Sequence, residues 1–188
     1  MKQIFRAFLA FAALAWLGSA AQAGEYEDTI QLFKNAGESA GFFSTAYGYA
    51  VYPTIGKAGL GIGGAHGKGK VYVGGKPVGT SKMTQLSFGW QAGAQGYSLM
   101  IFFEDKRAFD EFTSGNFEFG AQASAVAITA GASAGAGTGG GGMGASGGKK
   151  DATTAGKYTK GLAPFTIIKG GLMYEAAING AKFSYKPL

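Results

Sequence analysis

Five lysines, Lys57, Lys68, Lys70, Lys76 and Lys82, are the residues of this chain best placed by type and spacing to do chemistry. That chemistry is recognition of anions. They fall at or beside expected turns within about one strand-hairpin unit, which could bring several to one rim, where ammonium groups and glycine amides together would hold phosphate. The plain alternative is that they are turn lysines keeping the surface solvated.

Other constellations fail on their own terms. Gly59-Leu60-Gly61-Ile62-Gly63-Gly64 has the G-x-G-x-x-G spacing of a dinucleotide loop, but the helix that must follow it is missing. Ala65 to Lys70 leads into another strand, so glycine in a bent strand pair is the better reading. Gly64 to Lys70 fits G-x-x-x-x-G-K, yet Val71 stands where Ser or Thr must ligate magnesium. His66 is the sole histidine and lies in a glycine-rich turn with no rigid neighbour to orient it as a base. With one histidine and no cysteine, zinc is not expected, and no calcium loop is present. Glu104, Asp105, Asp110 and Glu111 cluster, but Lys106 and Arg107 lie among them, which reads as a solvated helix face. No catalytic residue, metal, nucleotide or other cofactor is expected, and a cryptic hydrolase lacks its nucleophile and base.

The compartment follows from the start of the chain. Lys2 and Arg6, an apolar stretch from Ala7 to Leu17, and Ala21-Gln22-Ala23 together describe a signal peptide cleaved after Ala23. The apolar stretch is well short of the roughly 20 residues that span a bilayer. The expected location is therefore the periplasm or cell envelope. The mature part, 24–188, has the size of one domain. The chain has 17 Lys and Arg against 11 Asp and Glu; with Lys2 and Arg6 gone, the surplus falls to four. That balance favours an anionic lipid or polysaccharide surface and argues against nucleic acid, as does export. Without cysteine there are no disulfides, so stability rests on packing. Thirty-five glycines beside 14% aromatic residues suit a β-rich domain with many turns and close backbone contacts.

Those elements can be placed. Tyr26, Ile30 and Phe33 form one apolar face of a helix from Glu25 to about Ala40. Strands are expected at Gly48 to Tyr52, Ala58 to Ala65, Lys70 to Val73, Thr84 to Gly93 and Gln95 to Phe103, with turns at Gly74-Gly75 and near Gly93-Ala94. In the fourth, Leu86, Phe88 and Trp90 give one large apolar face. A second helix spans Glu104 to Phe112. A strand through Ala121 to Ile128 precedes Gly131 to Gly148, whose ten glycines read as a flexible loop. Further strands follow at Lys157 to Gly161, Ala163 to Lys169, Gly171 to Ile178 and Ala181 to Lys186, the last two joined by Asn179-Gly180. The fold class is α+β: an antiparallel β-rich sheet or partly closed barrel with two short helices.

The stretch Ala50-Val51-Tyr52-Pro53-Thr54-Ile55-Gly56-Lys57-Ala58-Gly59, then Gly69-Lys70-Val71, Phe102-Phe103, Phe109 through Ala136, Tyr158 to Leu162 and Tyr174-Glu175 resemble the bacterial branch of the SYLF domain family. The resemblance covers essentially the whole mature chain. It implies a non-enzymatic lipid-binding module, with phosphoinositides and actin as partners in yeast and animal members. Export removes both, so the implied ligand is another anionic lipid, phospholipid or lipid A in type. The basic amphipathic N-terminal helix of animal members does not carry over, because the mature start is acidic. An integral outer-membrane barrel or structural envelope protein is the alternative, since 165 glycine- and aromatic-rich residues could form eight short strands.

Overall fold

The computed structural model describes residues 24–120, 126–128, 158–171, 178 and 180–188. The expected signal peptide, the first five residues of the strand expected at Ala121 to Ile128, the glycine-rich segment and the strand expected at Gly171 to Ile178 lie outside the described residues, save the first and last positions of that last strand.

Two strands dominate, β1 (Gly48–Val73) and β2 (Lys76–Phe103), joined by the expected turn at Gly74-Gly75 and paired antiparallel along their whole length. Both turn glycines have positive φ, +56° and +76°, as a two-residue hairpin turn of matching twist requires. The five short strands expected here are therefore two. The glycines taken as breaks sit inside continuous ladder: Gly93 pairs with Gly59 and Ala94 with Ala58. Consequently Lys57, Lys68, Lys70 and Lys82 are strand residues and only Lys76 adjoins a turn; His66 likewise stands in β1, opposite Thr84.

What the glycines do is bend the hairpin. The register shifts between Leu60 and Ile62, and a Cβ on Gly59 would meet the backbone of Ile62 and Gly63. Past this kink β1 returns along its own first half. A Cβ on Gly67 would strike Thr54 and Ile55, and one on Gly69 would lie 2.5 Å from the Tyr52 ring and 2.8 Å from the Val51 carbonyl. Only glycine allows that approach.

The second edge of β2 is shared. Gly79 to Thr84 pair with β6 (Lys182–Pro187), and Gln95 to Phe103 pair with β5 (Leu162–Gly171). β3 (Phe117–Glu118) extends the sheet beyond β6, and β4 (Val126–Ile128) beyond β5. The β4–β5 pair is parallel, an exception in an otherwise antiparallel sheet. The result is an α+β curled half-barrel. Thr159 to Gly161, read from sequence as part of a strand, is a turn: Lys160 and Gly161 have φ of 54° and 82°, and Thr159 bridges back to Leu162. Gly180 has φ +69°, as its expected turn demands.

Each face of the sheet buries its own core. Inside the curl lie Tyr52, Ile55, Met83, Tyr97, Leu99, Ile101 and Phe103, closed by Phe112, Phe119 and Phe183. Tyr52 ties the two halves together, its hydroxyl 2.6 Å from Ser81 Oγ, which donates to the Ser184 carbonyl at 2.7 Å. On the opposite face Val51, Met100, Phe102 and Phe165 pack against Tyr26, Ile30, Phe33 and Phe42. These last come from a helical layer in which the single helix expected over Glu25 to Ala40 is two, with a third, unexpected one after Gly41. It comprises α1 (24–35), α2 (Gly37–Ala40) and α3 (Phe42–Thr45). The break at Ala36, extended at ψ 121°, coincides with Ser39 Oγ donating to the Phe33 carbonyl, a side-chain bond that competes with the helical ladder. α4 (Lys106–Phe112) begins where Asp105 accepts from the Ala108 amide at 2.8 Å.

Replacing Gly69 by Val puts a branched side chain against Tyr52 and Val51. Such overpacking is expected to destabilise the protein by about 1–3 kcal/mol, a loss of several degrees in thermal denaturation. An unchanged Tm would mean that the two halves of β1 do not touch.

Candidate functional site

Bending a paired hairpin creates an interior corner. Inward-facing positions of a strand alternate, so beyond Ile55 the next inward residue of β1 is Lys57, and before Tyr97 the inward residue of β2 is Gln95. Lys57 and Gln95 are direct cross-strand partners. From the returning half, Ala65 and its partner Gln85 face the same corner. Here a cavity of about 750 Å³ opens, lined by Lys57, Gln85 and Gln95, with Ala58, Ala94 and Leu86 among its walls.

The polar residues of this corner are deeply placed. Lys57 is 7% exposed and Gln95 4%. Neither amide atom of Gln95 has a hydrogen-bond partner, nor has the hydroxyl of Tyr97, the next inward residue of β2. No carboxylate among the described residues lies within ion-pairing distance of Lys57. Burial pushes the phenols of Tyr97 and Tyr52 well above the ordinary tyrosine value, the hydrogen bond with Ser81 opposing it at Tyr52. Both phenols therefore remain protonated hydrogen-bonding groups. A buried ammonium at Lys57 and a buried amide at Gln95 are groups that can hold a polar ligand.

A second feature lies on the outside of the returning half. Lys68 and Lys82 face each other across the β1–β2 ladder, both exposed. β6 adds Lys182, opposite Thr84, and Lys186, opposite Thr80. Lys182 makes a 3.5 Å ion pair with Glu118, whereas Lys68, Lys82 and Lys186 have no carboxylate in range among the described residues. Towards the kink this basic strip runs into two apolar side chains open to solvent, Ile62 at 66% and Leu86 at 73% exposure. Leu86 was expected to belong to a large apolar face; its own side chain is open to solvent.

The five lysines read from sequence thus divide. Lys68 and Lys82 come together; Lys57 is inside; Lys70 stands 4.4 Å over the Tyr26 ring of α1; Lys76 is exposed at the hairpin turn. The carboxylates near α4 are solvated as expected, with Lys106 to Asp110 at 2.7 Å and Arg107 to Glu111 at 3.5 Å. Sequence reasoning missed Gln85, Gln95, Ile62 and Lys186. The signal available for the glutamines was strand alternation, since Met83-x-Gln85 and Gln95-x-Tyr97-x-Leu99 put amides in phase with core residues.

Comparison with known proteins adds two findings. A family model described as "Ysc84: Las17-binding protein actin regulator" matches residues 84–185, just over half of the chain. "Beta cell expansion factor A" of Aeromonas veronii is 31% identical over 156 residues, which is 82% of this chain and 51% of that protein. The chain thus spans about half the length of this relative.

If the Gln95 amide is held by nothing inside the protein, removing it should not harm the fold. Gln95→Leu is expected to leave the Tm unchanged or raise it by a few degrees, because a buried amide without partners opposes folding. A fall of more than a few degrees would assign Gln95 a structural bond.

Proposed function

Because the chain belongs to the SYLF family, the one described by the Ysc84 model, we propose that it is a non-enzymatic protein that binds anionic membrane lipid from the periplasmic side of the cell envelope. The observation that carries this reading is the outer strip of the returning hairpin. Lys68 and Lys82 are set side by side, where like charges repel unless an anion lies over them. Lys186 flanks them, and Ile62 and Leu86 protrude at one end. Ammonium groups beside exposed apolar side chains match a headgroup layer above the start of the acyl region. Residues 1–23 supply the export signal on which the compartment rests. The lipid is of phospholipid or lipid A type, and actin has no part in this setting.

The outward face of the returning half bears His66, Lys68, Lys82 and Thr84, whereas a membrane-spanning barrel needs a band of apolar residues there. Peripheral attachment is the reading that agrees with this pattern.

Flotation of the mature protein with vesicles tests it. Phosphatidylglycerol vesicles should carry the protein at low salt, phosphatidylcholine vesicles should carry much less, and added salt should weaken recovery. Lys68→Glu with Lys82→Glu should lower affinity for the anionic vesicles about tenfold or more, taking about 1 kcal/mol for each basic residue near the surface. Equal recovery with both lipids, or none with either, would contradict the reading.

A further inference from the structure

The interior corner asks for a different ligand from the outer strip, and the inference drawn from it does not depend on vesicle binding. A lysine and a glutamine stand opposite each other on the inward face of a ladder, 7% and 4% exposed. Everything that follows them on that face, Ile55 and Tyr52 on β1 and Tyr97 and Leu99 on β2, is packed core. Burying such groups opposes folding unless each finds a partner. Neither Gln95 amide atom has one, and no carboxylate among the described residues reaches Lys57. Yet the space beside them is not filled: it is a cavity of about 750 Å³, within the roughly 300–1,000 Å³ of small-molecule sites.

We propose that the corner is a site for one amphiphile whose oxyanion head, a carboxylate or a phosphate, is held by Lys57 and Gln95 and whose apolar tail leaves past Ala58, Ala94 and Leu86. The chemistry of the head follows from the donors. A lysine ammonium with no carboxylate to neutralise it selects negative charge, and the Gln95 Nε2 supplies two N–H donors to the same oxygens. Cross-strand partners have Cβ atoms about 4.5–5.5 Å apart, so both side chains can meet a single small head. The chemistry of the tail follows from the walls. Ala58, Ala94 and Leu86 offer it apolar contact on one side, with His66, Thr84 and Lys182 also on the rim, and Leu86, 73% exposed without a ligand, gains a partner.

Calorimetric titration of the mature protein decides the matter. The probes are laurate and dodecyl phosphate, used below their micelle concentrations; acetate and inorganic phosphate, which share the heads without tails; and dodecyltrimethylammonium, which shares the tail with the opposite charge. The expected result is saturable one-to-one binding of laurate or dodecyl phosphate, with the free anions and the cationic amphiphile far weaker. Acetate or phosphate binding as tightly as its long-chain counterpart would overturn the tail assignment, and equal binding of the cation would overturn the head assignment. Lys57→Met keeps the apolar stem and removes the ammonium, and should weaken binding about tenfold or more. It should also leave the ligand-free Tm unchanged or higher. Gln95→Leu, an independent variant, should weaken binding several-fold. Wild-type affinity in both variants would overturn the proposal. Lys68→Glu with Lys82→Glu serves as the separating control: it should lose vesicle recovery and keep laurate binding, so the two sites can fail one without the other.

Discussion

The contact on which the rest of this structure depends is the approach of β1 to itself. Gly67 and Gly69 lie against Thr54, Ile55, Val51 and Tyr52 with no room for a Cβ, and Gly59 folds tightly over Gly63. A long hairpin that cannot bend would expose both faces to water. This one bends, and the bend sets the two halves of the hairpin around a single inner core anchored by Tyr52, Ser81 and the Ser184 carbonyl. The helices then need only cover the outer face of the first half, where Phe42 stacks edge-on against Phe165 and Tyr158. The outer face of the second half is covered only near the hairpin turn, where Tyr72 is buried and Lys70 lies over Tyr26; from Lys68 towards Ile62 it is left to solvent, and its charge is free to serve recognition.

Both candidate sites are consequences of that geometry. The inward alternation that yields core at Tyr52 and Ile55 yields Lys57 one step later, at the place where the two halves part around the kink. On the outside, the same alternation aligns Lys68 with Lys82 and points Leu86 to water. One strand pair thus presents a basic surface with an apolar tip and, behind it, a polar corner within a hydrophobic interior. Lipid binding, the role proposed for this chain, is the setting in which both features have a use.

Much of this was legible in the residues. Gly74-Gly75, with nothing but turn-forming geometry open to it, marked the hairpin, and the spacing of Tyr26, Ile30 and Phe33 marked α1. The glycine run at 59–64 read as a bent strand pair rather than a phosphate loop, and that is what it is. What could not be read was whether a glycine ends a strand or bends it, because the same missing Cβ permits both. The choice is made by a tertiary contact, here Gly69 on Tyr52. The five lysines suffered from that ambiguity. Counted as turn residues they shared a rim, whereas in a continuous ladder their parity sends Lys57 inward and Lys68 outward. The glutamines went unnoticed because an amide in a strand is unremarkable until its face is known to be the inside.

The measurement that bears most directly on the central claim, that this fold holds anionic lipid, is mass spectrometry of the lipids that accompany the protein when it is purified from its cells without detergent. The account predicts an acidic lipid or single-chain amphiphile enriched well above its share of the bulk cell lipid. A lipid profile that mirrors the bulk, or one dominated by neutral species, would contradict it.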